Sequence, residues 1–339
     1  MIPGPFLLYI GDKRNPLDIK TSRGLATFRR EDCIGELREA DNPVTLGLPR
    51  MDVAEAAAKG ARALVLGVAT SGGRMDEAMI PHILAALDAG LHVVSGLHQH
   101  LSSDRRIRER ADELGRQLID VRAAPEGLKV GTGARRPGRR ILTVGTDCAV
   151  GKMYTALHLA DALRARGIPA RFRATGQTGV LIAGEGVVVD SVIADFISGA
   201  AEALSPARDS NVWDVIEGQG SLFNPSFAGV SLGLLHGAQP QALVMCHDPA
   251  RPHMRGLPHM PVPGIAACIE ENLRSARLTS PDVECVGVSI NGSGLEPAAA
   301  EDLRAAISAE TGLPCVDPVV TGMGSVVDRL VERFPASAS

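Results

Sequence analysis

No two of the six cysteines in this 339-residue chain form a C-x-x-C pair, and the charged-then-apolar pattern of a secretory leader is lacking. A reduced, cytoplasmic setting is the expectation. Long apolar runs are missing as well: none approaches the ~18 residues that a membrane helix needs, and aromatic residues make up only 3% of the chain, so no membrane role is expected. Nor is there a block of one charge. The net charge is −4 with basic and acidic residues interspersed, which leaves no basic stripe for a nucleic acid. The nearest candidate, ARRPGRR from Ala134 to Arg140, is short and falls between two expected domains, so it reads as a solvated linker. What is abundant is apolar residue content, 45%, enough to fill two cores in a chain of this length.

Short β-branched runs alternate with helical periodicity, which predicts βαβ units and parallel sheets. In the first half FLLYI, ALVLGVA, HVVSGL and QLIDVR read as strands, with helices over Met51–Ala61, Met75–Gly90 and Ser103–Arg116. In the second half strands are expected at RRILTVGT, ARFRAT, GVVVD, WDVIEG, ALVMCH, CVGVSIN and PCVDP. Helices are expected at Tyr154–Arg166, Val192–Leu204, Pro263–Ala276 and Pro297–Thr311. Gly, Pro and Arg break the pattern at Gly131–Gly138. The expectation is therefore an α/β protein with a Rossmann-like domain over 1–133 and a P-loop NTPase-like, doubly wound domain over 139–334.

ILTVGTDCAVGKMYTAL, Ile141 to Leu157, runs from a strand through a glycine turn into a helix. Successive backbone N–H groups in such a turn, completed by a lysine, make an anion site. The candidate nest is Gly145, Thr146, Asp147, Cys148, Ala149, Val150, Gly151, Lys152 and Met153, with one residue more between the glycines than the common G-x4-G-K count. Its spacing resembles the GTD-x-x-VGK loop of dethiobiotin synthetase and its relatives, where a Thr after the lysine helps hold magnesium. Met153 stands there instead, and a thioether is a poor ligand for a hard cation. Thr155 lies about 200° further round a helix, so it is a poor substitute.

Glu217, ending the strand in VIEGQGSL, resembles a glutamate that lies near phosphates and metal in the synthetase relatives; the alternative is a cap on the following turn. Asn291, after VSI, resembles an Asn that the synthetase relatives place against adenine; the alternative, for an Asn before Gly, is a turn former. Thr175–Gly179, holding Thr178, is read as a loop over the ligand. Asp190 is expected to cap the next helix, and Asp195, about 140° further round, need not share its face. The loop MCHDPARPHMRGLPHM holds His247, His253, His259, Asp248, Arg251 and Arg255. Its histidine spacing does not match a helical zinc site, whereas two arginines suit a carboxylate. In the first half, Gly67–Met75 is either an anion site at a helix N-terminus or a tight turn, and His98 and His100 are acid/base candidates of which at most one enters a given pocket.

Taken in order, GTDCAVGKMYTAL, ATGQTG, VVVDSVIADFISGAAE, EGQGSL and HDPAR resemble the D-glutamate N-acetyltransferase family, formerly a P-loop domain of unknown function, over about Ile10 to Val331. The resemblance implies transfer of an acetyl group from acetyl-CoA to the amine of a D-amino acid, without an obligatory metal. The nest with Asn291 would then hold coenzyme A phosphates and adenine. Such chemistry needs a base, for which Glu217, Asp195 and His247 are candidates. It also needs a grip on the substrate, for which Thr178, Asp190, Arg251 and Arg255 are candidates. A homo-oligomer is expected. Two rival readings remain. One is an ATP-dependent ligase or kinase of the synthetase type, with Glu217 and Asp147 on magnesium. The other is a nucleotide switch, for which the N-K-x-D sequence is missing.

Overall fold

The computed structural model describes residues 2–335. It divides into two compact units: the chain up to Ala123 together with Gln177–Val188, and Ala124–Gly176 together with the chain from Val189 onward.

The first unit holds a parallel sheet of β1 (Phe6–Gly11), β2 (Cys33–Arg38), β3 (Ala63–Leu66), β4 (His92–Ser95) and β5 (Leu118–Asp120), in the order β2-β1-β3-β4-β5. Every residue of β1 and β3 is buried, as both-face coverage of a parallel sheet requires. Helices at Val53–Ala58 and Arg105–Leu114 start where sequence chemistry places them. Asp52 accepts from the Glu55 N–H, and Asp104 from those of Arg106 and Ile107. The helix Gln177–Ala183 also belongs to this unit. Its Leu181 joins an apolar cluster with Phe6, Leu8 and Leu25, and its Thr178 hydroxyl lies 2.9 Å from that of Thr21. A single boundary near residue 135 therefore misassigns this segment. GVVVD forms no strand; Val187, Val188 and Val189 are buried where the chain passes from one unit to the other. A buried β-branched run satisfies the strand pattern without joining a ladder.

The second unit holds β6 (Arg139–Gly145), β7 (Ala170–Arg173), β8 (Trp213–Ile216), β9 (Ala242–His247), β12 (Glu284–Ile290) and β13 (Cys315–Val316) in the parallel order β13-β12-β9-β6-β8-β7. β10 (His253–Met254) and β11 (Leu257–Pro261) form a separate antiparallel hairpin. From β6 the chain goes out to β7, returns to β8, and then continues on the other side of β6 at β9. That reversal lies at the carboxyl end of β6, where open α/β sheets bind ligands.

Close packing at this edge leaves no room for change at Gly218. A Cβ there would stand 1.6 Å from the Thr143 carbonyl oxygen. Gly218→Ala is expected to cost about 3 kcal/mol or more, since backbone must move, read as a lower denaturant midpoint at unchanged slope.

ARRPGRR is not a solvated linker. Arg136 donates to the carbonyls of Gly237 and Ala238 at 2.8 and 3.3 Å, satisfying orphan groups at the end of the helix Ala228–Ala238. Arg140 is buried and donates to the carbonyls of Arg136 and Gln239. Arg139 reaches the Phe334 carbonyl at 2.6 Å and stacks over Trp213. Arg135 stays exposed; the other three charges look solvent-bound in one dimension, but their donors serve carbonyls that only the fold brings near.

Candidate active site

Strand β6 delivers the loop, and the helix Lys152–Ala165 leaves it. Ala149 and Gly151 have φ of 54° and 96°, so the backbone turns sharply between them. Alternation of this kind points N–H groups into one concavity. A non-glycine residue at positive φ is uncommon and marks a constrained site. Lys152 is 6% exposed and folds back, its Nζ donating to the carbonyls of Asp147 and Gly220 at 2.7 and 2.8 Å. Burial holds its pKa below the ordinary lysine value, with Cys148, Cys246 and Asp147 opposing. An anion in the loop would relieve that cost.

Met153 is half-buried in the first turn of the helix, and Thr155 faces the sheet. The Thr155 hydroxyl donates to the Gly151 carbonyl at 3.0 Å and lies 2.8 Å from the Ser289 hydroxyl. It does not replace a metal-binding hydroxyl.

Asp147 is wholly buried and both its oxygens are occupied. Oδ1 accepts from Asn224 at 2.8 Å; Oδ2 accepts from Arg251 at 3.1 Å and from the Arg255 N–H at 2.6 Å. Burial alone would raise its pKa, but these donors, the Cys148 N–H and the Arg251 charge together hold it below the usual carboxylate value. This carboxylate braces the loop against the segment after β9.

Arg251 completes the brace through a 2.8 Å bond to the Cys148 carbonyl, so its guanidinium is committed to the loop. Arg255 differs. Its backbone is anchored on Asp147 while its side chain is exposed at the tip of the β10–β11 hairpin. His253 and His259 are also exposed on that hairpin. His247 ends β9, and its Nδ1 lies 3.0 Å from the Thr146 hydroxyl. Burial lowers its pKa, with Arg251 adding and Asp248 opposing, which favours neutral imidazole.

Glu217 follows β8 directly and is 4% exposed. Its Oε2 accepts from the Thr175 and Gly176 N–H groups, both at 3.0 Å. Burial raises its pKa, opposed by those two donors, Gln219 and Lys152. A carboxylate made more basic beside a lysine-bearing anion loop has the character of a general base.

The remaining expected residues are placed less centrally. Asn291 follows β12, and its N–H donates to the His247 carbonyl. Its side-chain oxygen accepts from the Ser293 hydroxyl at 2.8 Å, so the turn-former reading describes that half of the amide. Thr178 is a buried helix residue bonded to Thr21 in the first unit, not part of an open loop. Asp190 lies exposed inside the turn Val189–Ser191 and does not cap the helix, which begins at Ile197 after Phe196. Asp195 is exposed in the preceding turn, and among the described residues no hydrogen bond links it to the loop. In the first unit, Gly67–Met75 leads into the short turn Glu77–Met79 before the helix Ile80–Asp88 begins, so it does not open directly onto a helix N-terminus. His98 and His100 are both exposed. The sequence reading missed Asn224, Ser221, Gln219 and Thr143. Ser221 donates to the Thr146 carbonyl at 3.2 Å, and Thr143 accepts from the Gly218 N–H at 2.9 Å. No local pattern marks these residues, because their partners lie 44 residues away for Gln219 and 75 to 77 for the other three.

Comparison with known proteins fits this arrangement. Residues 129–327 match the P-loop domain of the DUF1611 family, described as a domain of unknown function, and residues 36–124 match that family's Rossmann-like N-terminal domain. A D-glutamate N-acetyltransferase from Pseudoalteromonas sp is 48% identical over 329 residues, covering 97% of this chain and 99% of that protein. A second protein of that name, from Tritonibacter scottomollicae, is 43% identical over 330 residues, covering 97% and 99%. The crystal structure of a DUF1611 family protein from Anabaena variabilis superposes with a TM-score of 0.89 at 32% identity, covering 97% of this chain and all of that one. With both family domains matched in order, and with relatives that run along nearly its whole length, the chain belongs to the DUF1611 family.

Proposed function

We propose that this chain transfers an acetyl group from acetyl-CoA to the amine of D-glutamate. The observation that carries the donor half is an anion loop complete with its lysine, yet with Met153 in the metal-hydroxyl position and both oxygens of Asp147 occupied by protein donors. Such a loop suits phosphates that are gripped and not cleaved. The acceptor half rests on the name of the two relatives that match 97% of the chain.

In this reading the nest of Gly145 to Met153 and Lys152 hold the donor's phosphates, with Asn291 at the end of β12, two strands over from β6. Glu217 takes a proton from the substrate ammonium, with His247, neutral beside Thr146, as the second candidate. Exposed Arg255 is the better placed of the two arginines for a substrate carboxylate, because Arg251 is engaged by Asp147 and Cys148. Cytoplasmic location and pairing of chains belong to the same reading; all six cysteines are free, which fits a reducing compartment.

A thiol-release assay with acetyl-CoA tests it, run against D- and L-amino acids with magnesium or with a chelator. Thiol release with D-glutamate at an equal rate in both conditions is expected. Magnesium-dependent phosphate release from ATP, with no thiol formed, would instead select the ligase or kinase reading.

A further inference from the structure

Around Glu217 lies a closed ring of contacts that the proposed reaction does not by itself require. Oε2 already receives two N–H donors, from Thr175 and Gly176, which fills the two lone-pair sites of that oxygen. The Thr175 hydroxyl donates to the Glu217 carbonyl at 2.5 Å and accepts from Gln219 Nε2 at 3.1 Å. On the other side, a Cβ at Gly176 would stand 3.0 Å from Glu217 Oε1 and 2.6 Å from Gln219 Nε2. The space beside Oε1 therefore exists only because residue 176 has no side chain. One residue on, the Gly218 N–H is fixed by Thr143, so the backbone that follows Glu217 is held as well.

We propose that Thr175, Gly176 and Gln219 are positioning residues that immobilise the Glu217 carboxylate, leaving Oε1 as the atom that receives the proton of the substrate ammonium. The inference rests on the acetyl-transfer reading with Glu217 as base. In the step, the ammonium N–H bond breaks and its proton goes to Oε1. The freed amine forms a C–N bond at the thioester carbonyl carbon, and the C–S bond breaks. The thiolate leaves and takes the second nitrogen proton as thiol, and the proton on Oε1 returns to solvent. A carboxylate free to rotate would present either oxygen. This one presents a single oxygen in a fixed direction, which is the part of catalysis that depends on orientation.

The test is the pH profile of kcat for Thr175→Val, Thr175→Ser and Gln219→Leu beside wild type and Glu217→Gln. Gln219→Leu removes a side-chain donor of the carboxylate, and Thr175→Val removes the hydroxyl that holds both the Gln219 amide and the Glu217 carbonyl; each is expected to lower kcat about 10-fold with KM little changed, the size of one hydrogen bond to a charged group. Their acidic limb should move to higher pH, because the charged carboxylate has lost support. Thr175→Ser should restore both. An acidic limb that stays in place in Gln219→Leu, while Glu217→Gln is inactive, overturns the positioning role and leaves the base assignment intact. A Glu217→Gln enzyme at full rate removes the base assignment instead. Gln219 is half-exposed, so its variant decides the matter even if Thr175→Val fails to fold.

Discussion

Glu217→Gln is expected to lower kcat for acetyl transfer by about 10²–10⁴-fold, the usual contribution of a positioned base, while leaving KM for the donor near its wild-type value. The amide keeps an oxygen for the Thr175 and Gly176 N–H groups but cannot take a proton at neutral pH. Burial raises the Glu217 pKa above 4.5, so the wild-type rate should climb with pH through that raised value. The variant should lack this limb. Stability gives a separate readout with a definite sign. A carboxyl whose folded pKa is raised contributes most to stability below its unfolded pKa, and this contribution is lost as pH rises through the folded value. At pH 7 the neutral amide avoids a buried charge, so the melting temperature of Glu217→Gln should equal or exceed that of wild type. A variant that melts lower and is inactive would indicate collapse of the site.

Asp147→Asn should be the most damaging exchange in the loop itself. The Asn224 bond to Oδ1 can survive, but an amide nitrogen in place of Oδ2 would face two donors, Arg251 and the Arg255 N–H. Removing one partner of a buried ion pair costs roughly 3–5 kcal/mol. The lower end applies here, because Arg251 is 23% exposed and can turn toward Asp248, 3.5 Å away. Chemical denaturation should therefore show a loss of about 3 kcal/mol, together with weaker binding of coenzyme A in titration calorimetry. Were Asp147 a metal ligand instead, the variant would keep its stability and lose only a magnesium-dependent activity.

Much of the anion loop was legible because its chemistry is local. Gly145, Gly151 and Lys152 sit between a strand and a helix in one short window, and the structure keeps that order. Met153 carried its message by identity alone. Glu217 was readable as a strand-end carboxylate, whereas its clamp was not, since Thr175 lies 42 residues before it, and the Gln219 amide, though only two residues along, is aimed by that same distant Thr175. Arg251 looked like a substrate grip because an arginine in a polar loop gives no sign of an internal carboxylate about 100 residues upstream. The helix Ala228–Ala238 escaped for a different reason. It carries Gly229, Gly233 and Gly237, which lower helical propensity, yet a Cβ at Gly237 would stand 2.2 Å from the Ser198 carbonyl oxygen. Propensity yields there to the close approach of a neighbouring helix.

The detour at Gln177–Val188 also limits how this protein can be taken apart or recombined. Cutting the gene at the Gly/Pro/Arg junction would give an amino-terminal fragment without Leu181 in its apolar cluster, and a carboxy-terminal fragment burdened with an orphan helix. The halves are stitched by a chain that leaves and comes back, so ancestry that swapped one half for a foreign counterpart would have had to carry this short insert along with it.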